Sequence, residues 1–455
     1  MEICFLCQRP VPAHFLATHL SLHDDGPSSS IPAGSQTFDD SPAIGSSGLE
    51  AIMEGMRRAA DRRSPSAEFG LFLEEGKLHP IFSFGAETAK GTVWTADLRL
   101  RLSDQDEDDP TIRLVTNIPP GSAADMGMLP KLARIVPVLK SMLQKAVRRQ
   151  EGGRAKGLAA LMLRVSADDL LRRLPIIMIE DATLHPALPV LVWLTAASSK
   201  GYLPSAAMRS TVLAVVAELA RCKYRDAVPS TSAPLPQVRF RDLEDCSDGA
   251  ARTLIASLLV RASYGGTSGD LAMLRSMCGL WRSRLTGMDT APQLSYPSTS
   301  PHPYLAGSFV ADLEASPWSA AVLACHYMVG DESEGKGSVG NGVESCLLKE
   351  GIDFHCDGNL LRHVSRHLSE HHDLEEVKEA IWLFRSSVNH RPPLPAASVR
   401  ETIDAQRRAD VTAKFRLRRL WARICPAVEE YSRRKVDELA ALVRDAEASS
   451  RNDVP

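Results

Sequence analysis

The stretch ALPVLVWLTAA, residues 187–197, is the longest apolar run in the chain. A helix needs roughly 20 apolar residues to cross a bilayer, so this run is too short to span a membrane. It lies inside a longer block, residues 155–225, in which the helix-favouring residues Ala, Leu, Arg and Glu dominate. The run therefore indicates a soluble protein whose body is mainly α-helical.

Similar blocks continue on both sides of this run and are separated by loops rich in Pro, Gly and Ser. The blocks predicted to be helical are 123–150, 155–225, 241–287, 306–328, 345–389 and 398–448. We expect a helical domain at 123–289 and a second helical region at 290–455, which ends in basic helices.

Strand-like patterns are concentrated nearer the N-terminus, in HPIFSFG, TVWTADLRLRLS and TIRLVTNI. In LRLRL, residues 98–102, apolar and charged side chains alternate as in a strand with one buried face. We expect a small antiparallel β element at 79–118. With a short helix at 49–62, it forms the region 49–122.

The first residues, MEICFLCQRPVPAHFLATHLSLH, contain a C-x2-C pair, Cys4 and Cys7, and an H-x3-H pair, His19 and His23. Two thiolates and two imidazoles can hold Zn²⁺ tetrahedrally. Residues 4–23 resemble a classical two-Cys, two-His zinc finger, which implies one Zn²⁺ bound by these four side chains. The run DDGPSSSIPAGSQTFDDSPAIGSSG (24–48) predicts a disordered linker, so the finger, residues 1–23, is expected to be a separate module.

The surface of this finger is poorly suited to reading DNA. Its base-reading positions fall on Pro12, Phe15 and Thr18, which offer no Arg, Asn or Gln fork for base edges. Arg9 is its only Lys or Arg, so attraction to phosphates is weak. We expect the finger to bind a protein in preference to RNA, with a purely structural role as a further alternative.

Two segments of the body are basic although the net charge of the chain is −3. Residues 131–164 contain nine Lys or Arg against one acid, and residues 400–435 contain eleven against five. Such surfaces can bind phosphates, although a solvated surface helix is the alternative for each. The candidate nucleic-acid-binding residues are Arg148, Arg149, Arg416, Arg419 and Arg423. The last three follow a helical spacing beside the apolar stripe Phe415, Leu417, Leu420, Trp421 and Ile424.

The segment DFHCDGNLLRHVSRHLSEHHD (353–373) is rich in metal-ligand residue types. His363, His367 and His371 recur every four residues, and H-x3-H on a helix is competent metal geometry. The candidate ligands of a second metal site are His355, Cys356, His363 and His367. The alternative is that these histidines lie at the surface beside a buried stripe.

Two stretches, LLRRLPIIMIEDATLHP (170–186) and LLVRASYGGTSGDLAMLRSMCGLW (258–281), are similar to short segments of a known family. They resemble the helical C-terminal part of replication-linked AAA ATPases of the Werner-helicase-interacting type. Arg172, Arg173, Glu180 and Asp181 occupy the matching positions. The phosphate loop and ATPase core are absent and the order of the stretches is reversed, so the resemblance implies a replication or repair accessory without ATPase activity.

The chain carries no G-x-S-x-G elbow, kinase signature or HExxH motif. Its nine cysteines show no paired spacing beyond Cys4 and Cys7, which favours a reducing compartment. We therefore expect a non-enzymatic, zinc-binding, intracellular protein, nuclear or cytoplasmic, that associates with nucleic acid or a nucleoprotein assembly. The alternatives are a protein–protein adaptor that recruits through its finger, an RNA-encapsidating nucleoprotein, and a metal-dependent enzyme of unfamiliar type.

Overall fold

A computed structural model of the 455-residue chain describes eleven segments of it. These are residues 2–3, 10–11, 66–85, 91–100, 111–122, 127–226, 238–285, 302–314, 343–368, 373–392 and 411–452. Several predicted features lie outside them: the zinc ligands Cys4, Cys7, His19 and His23, the linker 24–48, the helix 49–62, and His371.

The described residues are mainly helical, as the sequence predicts. The α-helices are α1 (Val136–Arg148), α2 (Gly152–Asp181), α3 (Leu188–Ser198), α4 (Ala206–Arg221), α5 (Gly249–Ala262), α6 (Ser268–Leu285), α7 (Gly307–Glu314), α8 (Asn359–Arg366), α9 (Leu374–Ile381) and α10 (Val411–Asn452). Short 3₁₀ turns occupy Pro130–Ile135, Phe240–Leu243, Val343–Cys346 and Lys349–Gly351, and a π-helical turn, Trp382–Ser386, continues α9.

Six strands form two sheets in the described part of the chain. Strands β1 (Glu2–Ile3) and β2 (Pro10–Val11) pair antiparallel. The larger sheet contains β3 (Ala67–Glu74), β4 (Lys77–Phe84), β5 (Trp94–Arg99) and β6 (Thr111–Thr116), in the order β4-β3-β6-β5.

This larger sheet corrects the predicted β element at 79–118. Strand β3 pairs antiparallel with β4 but parallel with β6, so the sheet is mixed, and it begins at Ala67. The sequence pattern missed β3 because Gly70 and two glutamates interrupt the apolar run AEFGLFLE. This strand is central in the sheet and its first six residues are all buried, so it lacks the alternation of a half-exposed strand.

Helix α3 is the centre of the core. Residues 188–197 are all buried, and α3 packs against α2, α5 and the sheet. The indole Nε1 of Trp193 donates to the carbonyl oxygen of Phe69 at 2.9 Å, which ties α3 to the central strand. No helix in the described part of the chain is long and apolar enough to cross a membrane.

The predicted helical block 155–225 contains three helices, α2, α3 and α4. Within α2 the backbone of Ser166 is non-helical (φ −160°, ψ 89°), so the helix kinks there. The Ser166 hydroxyl accepts from the backbone N–H of Asp169 at 3.4 Å, which is N-cap geometry for the second half of α2. This half carries Arg172 and Arg173 toward α1.

Two later segments return to the first half of the fold. Residues 304–306 run along the edge of β4, where the N–H of Leu78 donates to the carbonyl of Tyr304 at 3.0 Å and the N–H of Ala306 to that of Leu78 at 2.8 Å. The buried guanidinium of Arg391 lies at the C-terminal ends of α1 and α4. It donates to the carbonyl oxygens of Val147 (2.5 Å), Leu219 (2.6 Å), Ala220 (2.7 Å) and Cys222 (2.8 Å).

Candidate functional site

A groove open to solvent lies between α1, α2 and the turn that precedes α6. Its volume is about 580 Å³, and residues 353–356 and Trp382 form another part of its lining. Cations outnumber acids along it: the cationic residues are Lys140, Lys145, Arg148, Arg172, Arg173 and Arg261, and the acidic ones are Asp169, Glu180, Asp270 and Asp353. We call this surface the α1–α2 groove.

Two of these cations are buried in ion pairs. Lys145 Nζ lies 2.5 Å from Asp353 Oδ2, and Arg148 Nε lies 2.5 Å from Asp181 Oδ1. Arg148 also donates to the carbonyl of Ser386 at 2.7 Å. Arg148 was a candidate phosphate contact, but its charge is compensated inside the protein, so its role is to hold the base of the groove together.

Three other cations of the groove reach solvent. Their acidic partners are themselves partly exposed, and such pairs contribute little to stability, so these cations can exchange a carboxylate for an incoming anion at small cost. The pairs and their N–O distances are Lys140–Asp169 (3.0 Å), Arg172–Asp168 (3.0 Å) and Arg173–Glu180 (3.9 Å).

Arg261 places a positive charge behind these three side chains. It is 3% exposed and donates to the carbonyl oxygens of Arg172 (2.8 and 3.1 Å) and Gly265 (2.8 Å). Among the described residues, no carboxylate lies within ion-pair distance of it. Burial lowers the pKa of Arg261 to about 10, so it stays charged at neutral pH. The inner end of the groove is therefore electropositive.

The pKa of Glu180 lies above its usual range. Burial raises it; the attraction of Arg173 opposes this rise, and the neighbouring Asp181 reinforces it. An anion that approached Arg173 would raise the pKa further, because it repels the carboxylate.

Aromatic side chains are interspersed with these cations. Trp382 is 43% exposed, lines the groove, and has its ring 5.8 Å from the ring of His355 at 83°. It opens the π-helical turn, a conformation that is frequent at functional sites. Arg172 lies over the ring of Tyr264 at 5.3 Å. Tyr264 is not part of the groove lining, so it is Trp382 that offers the groove an exposed, flat apolar face.

The two stretches that resemble the AAA ATPases are adjacent in space. Arg172, Arg173 and Glu180 all line the groove, and Arg261, from the second stretch, bonds to the backbone of Arg172. Asp181 holds Arg148 below them. The first stretch and the turn at 264–270 thus form facing parts of one site.

The basic residues of the C-terminal helix lie elsewhere. Arg416, Arg419 and Arg423 are exposed on α10, as the sequence predicts, and none of them lines the groove. Arg416 pairs with Glu376 of α9. Arg149 is also outside the groove and donates to the carbonyl of Arg385 at 3.0 Å.

The apolar stripe beside those arginines is mostly as predicted. Leu417, Leu420 and Ile424 are buried, and Trp421 is half-buried and stacked on Phe384 with ring centres 6.1 Å apart. Phe415, near the start of α10, is 64% exposed and does not belong to the buried stripe.

Only part of the predicted second metal site comes together. His363 on α8 and His367, the residue that follows α8, are neighbours, and Glu430 of α10 completes a group that could hold a metal. The Nδ1 atom of His367 lies 2.9 Å from the carbonyl oxygen of His363 and donates to it. Among the described residues, His355 and Cys356 are not in this group; they lie at the groove, beside Asp353.

A third histidine site was missed by the sequence analysis. His185, Glu218 and His302 are near enough to share a metal, but their contacts are those of a hydrogen-bonded network. Glu218 Oε2 lies 2.9 Å from His185 Nε2, 3.0 Å from His302 Nε2 and 2.7 Å from the Tyr304 hydroxyl. These residues join α4, the loop after α2 and the segment beside β4.

The protonation of His185 argues against a metal at this network. The backbone N–H of Ala187 donates to His185 Nδ1 at 3.0 Å, so the proton of the neutral ring is on Nε2 and is donated to Glu218. A metal-ligating histidine shows the reverse pattern, with one nitrogen on the metal and the other donating. We therefore regard the network as structural.

We expect Glu218→Gln to lower the free energy of unfolding at pH 7 by about 2–4 kcal/mol, because it removes the charge that accepts three buried hydrogen bonds. Burial alone would raise the pKa of Glu218, but hydrogen bonds from His185 and His302 hold it well below its usual range. The contribution is thus complete above the unfolded pKa of about 4.3 and shrinks as the pH falls below it.

Denaturant unfolding at pH 7 and at lower pH measures this difference, and the exposed Glu244→Gln is the matched control. The structural role of Glu218 would be contradicted if Glu218→Gln hardly changed the free energy of unfolding at pH 7, or if its effect grew as the pH fell.

Comparison with protein-family models, curated protein sequences and solved structures finds no match to this chain. Any function assigned to it therefore depends on its own residues.

Proposed function

We propose that the protein binds single-stranded nucleic acid in the α1–α2 groove, with RNA as the first candidate. The observation that carries this proposal is the combination, along one groove, of partly exposed cations with an exposed Trp382. Proteins that bind single strands combine these two elements: cations follow the phosphates and aromatic rings stack on unpaired bases.

The charge arrangement supports binding of a polyanion. Partly exposed acids form weak ion pairs with Lys140, Arg172 and Arg173. Arg261, which has no ion-pair partner among the described residues, adds positive charge at the inner end of the groove. The indole of Trp382 supports a single strand over a duplex, because bases inside a duplex are already stacked on each other. Phosphate contacts carry no sequence information, so we expect little sequence preference.

With this proposal we retain the expectation of a non-enzymatic protein with an intracellular location, nuclear or cytoplasmic, where nucleic acid is found. Binding along the backbone without base readout is also what an RNA-encapsidating nucleoprotein requires, and this remains one form of the proposal. An adaptor that acts only through its finger would need no such groove.

We also keep the zinc finger as a proposal. The pairing of Glu2–Ile3 with Pro10–Val11 brings together the chain on both sides of Cys4 and Cys7, as a C-x2-C turn requires, which supports it. Metal analysis of the purified protein tests it, and the absence of one Zn²⁺ per chain would contradict it.

We expect the triple variant Lys140→Ala, Arg172→Ala, Arg173→Ala to bind single-stranded RNA more weakly than the wild type. Each lost phosphate contact should reduce the slope of log affinity against log salt by about 0.7, so the slope should fall by about 2. Fluorescence anisotropy of a labelled oligoribonucleotide at several salt concentrations measures this.

The control is a second triple variant, Arg416→Ala, Arg419→Ala, Arg423→Ala, which removes the same charge from α10, outside the groove. It should retain the wild-type slope. Equal losses in both variants, or no RNA binding by the wild type at low salt, would sink the groove proposal. Trp382→Ala should weaken binding without changing the slope, because stacking releases no counterions.

A further inference from the structure

A second cationic pocket lies between α8 and α10. Its volume is about 250 Å³, and it shares no lining residue with the α1–α2 groove. Four of its eight lining residues are Lys or Arg and one is an acid: it is lined by Asn359, Arg362, His363, Arg366, Tyr431, Arg434, Lys435 and Glu438. We call it the α8–α10 pocket.

The α8 side of this pocket carries uncompensated charge. Arg362 and Arg366 are one turn apart and exposed, and neither forms an ion pair with any carboxylate in the described segments. Like charges at this spacing on a helix repel each other. An anion placed between the two guanidinium groups would turn this repulsion into attraction.

The α10 side carries two cations and two acids within ion-pair distance of them. Arg434 Nε is 3.9 Å and Lys435 Nζ is 3.2 Å from the same carboxylate, that of Glu438. Lys435 is also 3.9 Å from Asp357. Arg434 also lies over the ring of Tyr431 at 5.4 Å, which holds the guanidinium close to the pocket. The excess positive charge of the pocket therefore comes from Arg362 and Arg366 on its α8 side.

His363 supplies an independent sign of a missing ligand. Its Nε2 atom is shielded from solvent and has no hydrogen-bond partner among the described residues. His363 lines the pocket, and an anion bound there is the kind of acceptor that an N–H at this atom lacks.

We propose that the α8–α10 pocket binds a terminal phosphate group, such as inorganic phosphate or the phosphate monoester at the 5′ end of a nucleic-acid strand. Phosphate oxygens accept the paired N–H groups of Arg362 and Arg366, and the charge of Lys435 lies on the opposite wall. The same arginines oppose a divalent cation at His363, His367 and Glu430, because they repel it. The proposal does not depend on the groove binding nucleic acid.

The test uses the full-length protein and two probes. Isothermal titration calorimetry with inorganic phosphate measures binding directly. Anisotropy compares one oligoribonucleotide carrying either a 5′-phosphate or a 5′-hydroxyl. The double variant Arg362→Ala, Arg366→Ala removes the α8 side of the pocket. The control, Arg418→Ala, Arg433→Ala, removes two exposed arginines of α10 that do not line it.

We expect the wild type and the control to bind phosphate, and the double variant to bind it at least about tenfold more weakly, because two guanidinium groups that can each donate two charge-assisted hydrogen bonds to a phosphate are removed. If the strand end is the natural source, the wild type should prefer the 5′-phosphorylated strand and the double variant should not. Binding of inorganic phosphate without this preference supports the site with free phosphate as its source. The proposal is overturned if the wild type shows neither phosphate binding nor a preference for the 5′-phosphorylated strand. It is also overturned if the double variant and the control lose phosphate affinity equally.

Discussion

Replacement of Arg391 by Met should lower the free energy of unfolding by about 3–5 kcal/mol. The guanidinium donates to four carbonyl oxygens at the C-terminal ends of α1 and α4, where the last carbonyl oxygens of a helix lack intrahelical N–H donors and the helix dipole is negative. Methionine keeps the apolar stem but removes this donor from all four carbonyls; those of Val147 and Cys222 keep a hydrogen bond from Gln150. The loss is smaller than the sum of four bonds, because the cost of burying the guanidinium is removed as well.

Urea unfolding of Arg391→Met and of the exposed His390→Ala measures this effect. The histidine variant should be neutral, since only the backbone N–H of His390 is bonded, to the carbonyl of Arg148. A loss below about 1 kcal/mol in Arg391→Met would place Arg391 among ordinary surface cations.

Lys145→Met should have an effect of similar size, about 3–5 kcal/mol, because it leaves the carboxylate of Asp353 buried without its counter-charge. The double variant Lys145→Met, Asp353→Asn should recover most of this loss, since removing both charges leaves no uncompensated ion. A double variant that is as unstable as the sum of the two single variants would show that the pair is not coupled.

The pH dependence of stability gives this prediction a second readout. Burial alone would raise the pKa of Asp353, but Lys145 brings it below its usual value. In the wild type the pair therefore contributes stability above pH ~4 and loses it as the pH falls further. In Lys145→Met, burial dominates and the folded pKa is raised, so stability should rise on acidification from pH 7. Unfolding curves at several pH values show whether the free energy of unfolding rises or falls on acidification in each protein.

Local patterns in the sequence predicted the helical body. The run at 187–197 forms the buried α3. The stripe Leu417, Leu420 and Ile424 is the buried side of α10, and the sequence shows it because a 3.6-residue periodicity is visible in neighbouring residues alone. Strand β3 was missed because it is buried on both faces and does not alternate.

The groove was only partly predictable. The basic segment 131–164 marked its position, but charge counts could not separate the buried Arg148 from the exposed Lys140, since their partners come from other helices. Trp382 carried no signal at all. His185, Glu218 and His302 are 33 and 84 residues apart along the chain and meet only through the fold.

The sequence separation of Lys145 and Asp353 has a consequence for synthesis on the ribosome. The two residues are 208 positions apart, and at a translation rate of about 5–20 residues per second the lysine waits roughly 10–40 s for its counter-charge. Until then α1 and α2 can pack together, but the surface around Lys145 stays open and solvated. Trp382 is translated later still. A growing chain therefore has the cations of α1 and α2 without the carboxylate and the indole that complete the groove, so the strand binding that we propose for the mature geometry would be confined to chains whose later half has already emerged.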